Sequence, residues 1–117
     1  MNIIETKNAP DAIGPYSQAV TVNGFVFTSG QIAIDPHSGL IEESGIEGQT
    51  RQAILNLASI LEAAGSGLEK AVKTTCFLQN MTDFAAFNEV YARFFPNRPA
   101  RSCVEVAALP KGALVEI

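Results

Sequence analysis

Residues 18–29 carry two short apolar-rich, strand-forming blocks broken by Asn23-Gly24. Val20 and Val22 precede the break and Phe25, Val26 and Phe27 follow it, so the segment predicts a β-hairpin turning on the favoured Asn-Gly pair. Asp35-Pro36-His37-Ser38-Gly39 is a turn by its chemistry, which puts the lone His37 on an exposed bend. A helical period follows. Ala53, Leu57, Ile60, Leu61 and Ala64 recur at helical spacing, with Ser44-x-x-Glu47 as an expected capping box and Gly65 as the stop. Gly65-Ser66-Gly67 falls where a helix ends rather than where a strand feeds one, so it predicts a C-cap and turn, not a phosphate loop. Residues 72–79 alternate, with Val72, Thr74, Cys76 and Leu78 on the buried face, making Cys76 a small core residue.

A second helix is expected from Thr82 or Asp83, either able to cap it, to Phe95, with Phe84, Phe87, Val90, Tyr91 and Phe94 as its apolar stripe. Pro96 to Pro99 breaks it. Residues 101–108 and 113–117 predict two further strands around a turn at Leu109-Pro110-Lys111-Gly112. Two helices among hairpin-linked strands define an α+β fold with a mixed sheet, held in one domain spanning residues 1–117.

Composition narrows the classes of function. Hydrophobic residues are 47% and charged residues 17% of the chain, a globular balance. The net charge of −4, with no basic run, argues against a phosphate-backbone partner. No apolar stretch reaches the length of a membrane span and no secretory leader is visible at residues 1–14. Cys76 and Cys103 stand far apart without a CxxC, and one histidine excludes a His-rich metal site. These features predict a cytoplasmic protein with reduced thiols, no metal, no membrane and no nucleic acid.

Some residues are out of place for packing alone. Arg101 opens a predicted strand, sharing a face with Cys103 and Glu105, and Glu116 stands between Val115 and Ile117. Arg101 either pairs with Glu105 or Glu116 on a solvated face, or acts as a rigid fork for an incoming carboxylate. Gly14-Pro15-Tyr16 forces an irregular backbone, where Tyr16 either caps the core edge or borders a ligand. Ser29-Gly30 is either a tight strand end or a place where a ligand approaches the backbone closely.

At these residues the sequence resembles the RidA family, also called the YjgF/YER057c/UK114 family. The likeness runs through Asn8-Ala9-Pro10, the stretch from Ala12-Ile13-Gly14-Pro15-Tyr16 to Ser17-Gln18-Ala19, and Thr28-Ser29-Gly30-Gln31. It continues through Gln49-Thr50-Arg51-Gln52, Ala63-Ala64-Gly65 and Val72-Lys73-Thr74-Thr75. The family signature is matched at Pro99-Ala100-Arg101-Ser102-Cys103-Val104-Glu105-Val106, then Leu109-Pro110-Lys111 and Val115-Glu116-Ile117. Arg101 matches the active branch; several sister branches lack it.

The resemblance implies a chorismate-mutase-like α+β subunit of about six strands and two helices, assembled as a homotrimer with ligand clefts between subunits. It implies a 2-iminobutanoate/2-iminopropanoate deaminase, hydrolysing enamine and imine intermediates from pyridoxal-phosphate-dependent serine and threonine dehydratases, with no cofactor of its own. Carried onto this chain, Arg101 clamps the substrate carboxylate and Glu116 orients or activates water. Backbone at Cys103, with Ser29 and Gly30, lines the pocket; Tyr16 closes it; Asn88 is a further pocket position or a polar spot on a helix. A covalent role for Cys103 is disfavoured because no His or Lys is predicted nearby to depress its pKa. Two departures stand out. The last strand stops sooner than in relatives, which predicts fraying at Glu116, and the connection at residues 96–98 is short. Two other classes stay open: a 2-oxo-acid sensor without turnover, and the ribonuclease or translation inhibition ascribed to some relatives, which the acidic charge disfavours.

Overall fold

The computed structural model describes residues 1–117. Six strands and two α-helices follow in the order β1 (Asn2–Ile4), β2 (Ala19–Val22), β3 (Phe25–Thr28), α1 (Ile46–Ala63), β4 (Lys73–Leu78), α2 (Phe84–Phe94), β5 (Ala100–Glu105) and β6 (Val115–Glu116). The expected α+β class with mixed strand pairing holds. The strands fall into two three-stranded sheets, ordered β1-β2-β3 and β5-β4-β6. They are stitched together by a reciprocal pair of backbone hydrogen bonds, Gln31 N–H to Ile117 O at 2.8 Å and Ile117 N–H to Gln31 O at 3.0 Å. The expected fraying at Glu116 is therefore overturned: Ile117 is buried and bonded on both sides of its peptide.

The β2–β3 hairpin turns as its sequence dictates, with Asn23 and Gly24 at φ 50° and 80°, the left-handed pair of a type I′ turn. Strand β1, which pairs antiparallel with β2, was not expected; Asn-Ile-Ile is too short to show a period. Strands β4 and β5 run parallel, a pairing that needs a crossover, and α2 supplies it. Strand β6 pairs antiparallel on the other side of β4.

Helix α1 differs from expectation at its start. Gly45, in extended conformation, is the N-cap, and neither Ser44 nor any other side chain caps the helix. The bond that fixes this entry comes from Gln49, whose Nε2 donates to Glu43 O at 2.9 Å. At the other end Gly65 is left-handed (φ 76°), and Gly65 N–H to Glu62 O with Ser66 N–H to Leu61 O complete a Schellman cap. The predicted cap of α2 is likewise absent, because residues 81–83 form a 3₁₀ turn and neither Thr82 nor Asp83 bonds the helix. The Met81 amide instead donates to Glu105 Oε1 at 2.7 Å, so β5 satisfies the leading donor.

The core lies between the helices and one face of β5-β4-β6: Ile54, Leu57, Cys76, Leu78, Phe87, Tyr91, Phe95 and Val115 pack there. Phe95, rather than the predicted Phe94, is the buried end of the aromatic stripe. Val72 lies just outside β4 and is exposed, whereas Cys76 and Leu78 hold the predicted core face. Buried polar side chains brace the loops. Asn56 Nδ2 donates to Ile32 O and Ile34 O at 3.1 and 2.9 Å, and Gln49 Oε1 accepts from Leu114 N–H at 2.8 Å.

Candidate active site

Register decides where each candidate side chain points. Thr74 is opposite Arg101 and Cys76 is opposite Cys103, so both β5 residues project toward α2 with the core-facing side of β4. Glu116 is opposite Phe77 and Val115 opposite Leu78. Because Leu78 belongs to the core face, Glu116 projects from the other side of the sheet. Arg101 and Glu116 therefore lie on opposite faces of the same sheet. The possible pairing of Arg101 with Glu105 or Glu116 is overturned. Glu105 is committed to the Met81 amide, and the one ion pair of the chain is Lys7–Asp11 at the surface.

Arg101 is half-buried, and its guanidinium carbon sits 4.9 Å from the Tyr91 ring centroid, 5.5 Å from Phe84 and 5.6 Å from Phe87. One Nη1–H is spent on Asn88 Oδ1 at 2.8 Å; the other donors are free. Aromatic faces attract a cation without neutralising it, which leaves the fork available for an anion. Asn88 is thus brought directly to Arg101. Cys103 lies on the same face, where burial pushes its thiol up while the Arg101 charge pulls the other way. Cys76 beside it is pushed up to about 11 by burial. A raised thiol pKa works against the thiolate that a covalent role would need.

On the opposite face, Gly30 admits Glu116. A Cβ at position 30 would lie 2.9 Å from the Glu116 carboxyl carbon and 3.0 Å from Cγ, so only a bare backbone allows the carboxyl to rest there. Burial raises the pKa of Glu116 above the ordinary carboxylate value. Both residues line a cleft of about 640 Å³ with Phe27, Thr28, Thr75 and Phe77, between β3 and the β4–β6 edge. Arg101, Asn88, Cys103, Tyr16 and Ser29 do not line it.

Ser29 joins two candidate segments. Its Oγ donates to Ser17 O at 2.6 Å and its N–H to Gln18 O at 2.9 Å, which holds residues 16–18 beside Gly30. Tyr16 does not cap the core. It is 53% exposed, and its hydroxyl accepts a 3.3 Å bond from the Ile13 amide. Sequence reasoning missed the ring seat beneath Arg101 and the role of Thr74, whose Oγ1 lies 2.6 Å from Tyr91 Oη. The stripe of Phe84, Phe87 and Tyr91 was visible as packing material, but its approach to an arginine depends on the parallel β4–β5 register.

Arg101 is thus held free of any acidic partner, and the half-buried carboxylate of Glu116 lies on the reverse of the same sheet. The family model described as endoribonuclease L-PSP matches residues 6–117, and the chain belongs to that family, the YjgF/RidA family. A RutC family protein of Synechocystis is 52% identical to the chain, the match covering 100% of this chain and 92% of the relative. A human protein named 2-iminobutanoate/2-iminopropanoate deaminase is 47% identical over 98% of this chain and 85% of its own length. The crystal structure of Escherichia coli TdcF with bound serine superposes with a TM-score of 0.94 at 44% identity, covering 99% of this chain and 94% of that one. No helix is long and apolar enough to cross a membrane.

Proposed function

We propose that the chain is a 2-iminobutanoate/2-iminopropanoate deaminase, hydrolysing the enamine and imine products of pyridoxal-phosphate-dependent serine and threonine dehydratases to 2-oxo acids and ammonia. The observation that carries this reading is Arg101: a half-buried guanidinium without a carboxylate partner, one donor spent on Asn88 and the rest free. Such a fork takes a small carboxylate through two parallel hydrogen bonds. The name of the human relative identifies which small carboxylates to test.

In this reading Arg101 binds the substrate carboxylate and so places the C=N carbon. Water adds to that carbon while Glu116 accepts its proton. The resulting carbinolamine expels ammonia and leaves the 2-oxo acid. A base on a carboxyl with a raised pKa suits this step, since proton transfer gains from a pKa nearer the working pH. Arg101 and Glu116 on opposite faces of one sheet cannot flank one substrate alone, which supports a site completed by a second copy in a homotrimer. Gly30 borders the Glu116 side and the backbone at Cys103 the Arg101 side, while in this reading Tyr16 and Ser29 bind substrate from the neighbouring segment. A ribonuclease reading has less support: the charge is −4 and the one histidine sits on an exposed turn.

The test generates the imine in place with a threonine dehydratase, makes imine hydrolysis limiting and follows 2-oxobutanoate release. Wild type is expected to accelerate release and Arg101→Lys to lose most of that effect, because a lysine keeps the charge but not the fork. Acceleration undiminished in Arg101→Lys sinks the clamp. No acceleration by wild type, with 2-oxobutanoate still bound, makes the protein a 2-oxo-acid sensor.

A further inference from the structure

We propose that Tyr91 and Phe84 are positioning residues for Arg101, the two rings setting the plane in which the guanidinium meets its carboxylate and Thr74 pinning Tyr91 in place. The inference rests on the clamp reading above. An arginine that faces no internal anion has little to fix its long side chain, and a mobile fork pays rotamer entropy each time it closes on a ligand. Here Asn88 holds one Nη1–H, and a second restraint comes from aromatic rings. The guanidinium carbon lies 4.9 Å from the Tyr91 centroid, with Phe84 at 5.5 Å, so the cation rests against rings of α2.

Tyr91 is itself held at three points. Its ring stacks on Phe95 with centroids 4.5 Å apart and meets Phe87 at 5.5 Å. Its hydroxyl shares a 2.6 Å hydrogen bond with Thr74 Oγ1. Thr74 is the register partner of Arg101 on the neighbouring strand. The plane under the guanidinium is thus referenced through Thr74 to β4, the strand paired with the one that carries Arg101, and α2 cannot slide along the sheet without breaking the Tyr91–Thr74 bond. Phe84 contributes from the rim: its ring is 37% exposed, so it adds little to the core while still reaching Arg101.

The test measures 2-oxobutanoate binding by calorimetry and imine hydrolysis on the full chain, for Phe84→Leu, Tyr91→Leu, Tyr91→Phe, Thr74→Val and Arg101→Lys. Loss of either ring is expected to weaken binding roughly 3- to 30-fold, the range of a partly desolvated cation–ring contact. Tyr91→Phe keeps the ring and is expected to rescue most of the Tyr91→Leu defect. Tyr91→Phe and Thr74→Val each remove one partner of the same bond, so their residual losses are expected to be smaller than additive when combined. If Tyr91→Leu fails to fold, Phe84→Leu decides the matter. Folded ring variants that bind 2-oxobutanoate like wild type, alongside an Arg101→Lys that does not, overturn the seat and leave the clamp standing. An Arg101→Lys that still binds overturns both.

Discussion

Glu116 is the residue whose environment makes the most contradictory demands. Burial raises its pKa, so the folded chain holds this proton more tightly than the unfolded chain does. The sign of the linkage follows. Its contribution to stability is fully present below the unfolded carboxyl pKa and is lost as pH rises through the higher folded value. At neutral pH the ionised group is a cost. Glu116→Gln is expected to melt no lower than wild type at pH 7, with the difference vanishing below about pH 4, where both side chains are neutral. The same variant is expected to lose about 10²–10⁴-fold in turnover, the usual worth of a general base; a loss under about fivefold would leave Glu116 a positioning role only. Gly30→Ala places a methyl against that carboxyl and is expected to lower turnover with little change in melting, because the flexible carboxyl can yield. Cys103→Ala is expected to keep turnover, since its thiol is protonated at neutral pH. Arg101 and Glu116 were legible as charges inside strands. Their surroundings were not, because Gly30 meets Glu116, and Tyr91 meets Arg101, only through long-range pairing.

At the scale of elements, what was legible is what local chemistry controls. The Asn23-Gly24 turn and the glycine stop at Gly65 appear in the structure as their residues require. What failed was capping. Ser44 and Asp83 have the right chemistry for an N-cap, yet α1 begins at Ile46, after Gly45, and the 3₁₀ turn leading into α2 has its Met81 amide bonded to Glu105 of β5. At α1 the Gln49 side chain fixes the entry by bonding Glu43 O, and at α2 a tertiary partner takes the leading donor. Helix α1 buries polar side chains as well. Gln49, Thr50 and Asn56 lie on its inward face among Ala53, Leu57 and Ile60, a spacing that reads as apolar stripe with three exceptions, and of these Gln49 and Asn56 hold the loops. Asn56→Ala leaves the Ile32 and Ile34 carbonyls without their donor and is expected to cost about 1–3 kcal/mol, read from chemical denaturation.

Across the whole molecule, each sheet has two faces of different character. On β1-β2-β3 the register sets Ile3, Val20, Val22, Phe25 and Phe27 on one side, and that side is away from α1. Phe25 and Phe27 are 58% and 56% exposed there, with ring centroids 6.4 Å apart. An apolar sheet face of this kind calls for a cover, and the site proposed above, with Arg101 and Glu116 on opposite faces, would take it from a second copy. Sedimentation of the wild type is expected to give a trimer. Phe27→Glu is expected to give a folded monomer with imine hydrolysis near background, because Arg101 and Glu116 would then have no partner surface. An active monomer would contradict a site shared between copies. The alternation that produces this face was present in the hairpin sequence, but both sides of the hairpin carry apolar residues, so which one is uncovered emerges only from the packing of α1.

The aromatic column Phe87–Tyr91–Phe95 serves two masters, being part of the core and part of the support beneath Arg101. A helix that bears load from both sides transmits news in both directions. If Arg101 binds a 2-oxo acid as proposed, the amides of α2 are expected to exchange their hydrogens with deuterated solvent more slowly in its presence. Heating that loosens this helix should in turn release the ligand before the hairpin sheet has begun to open.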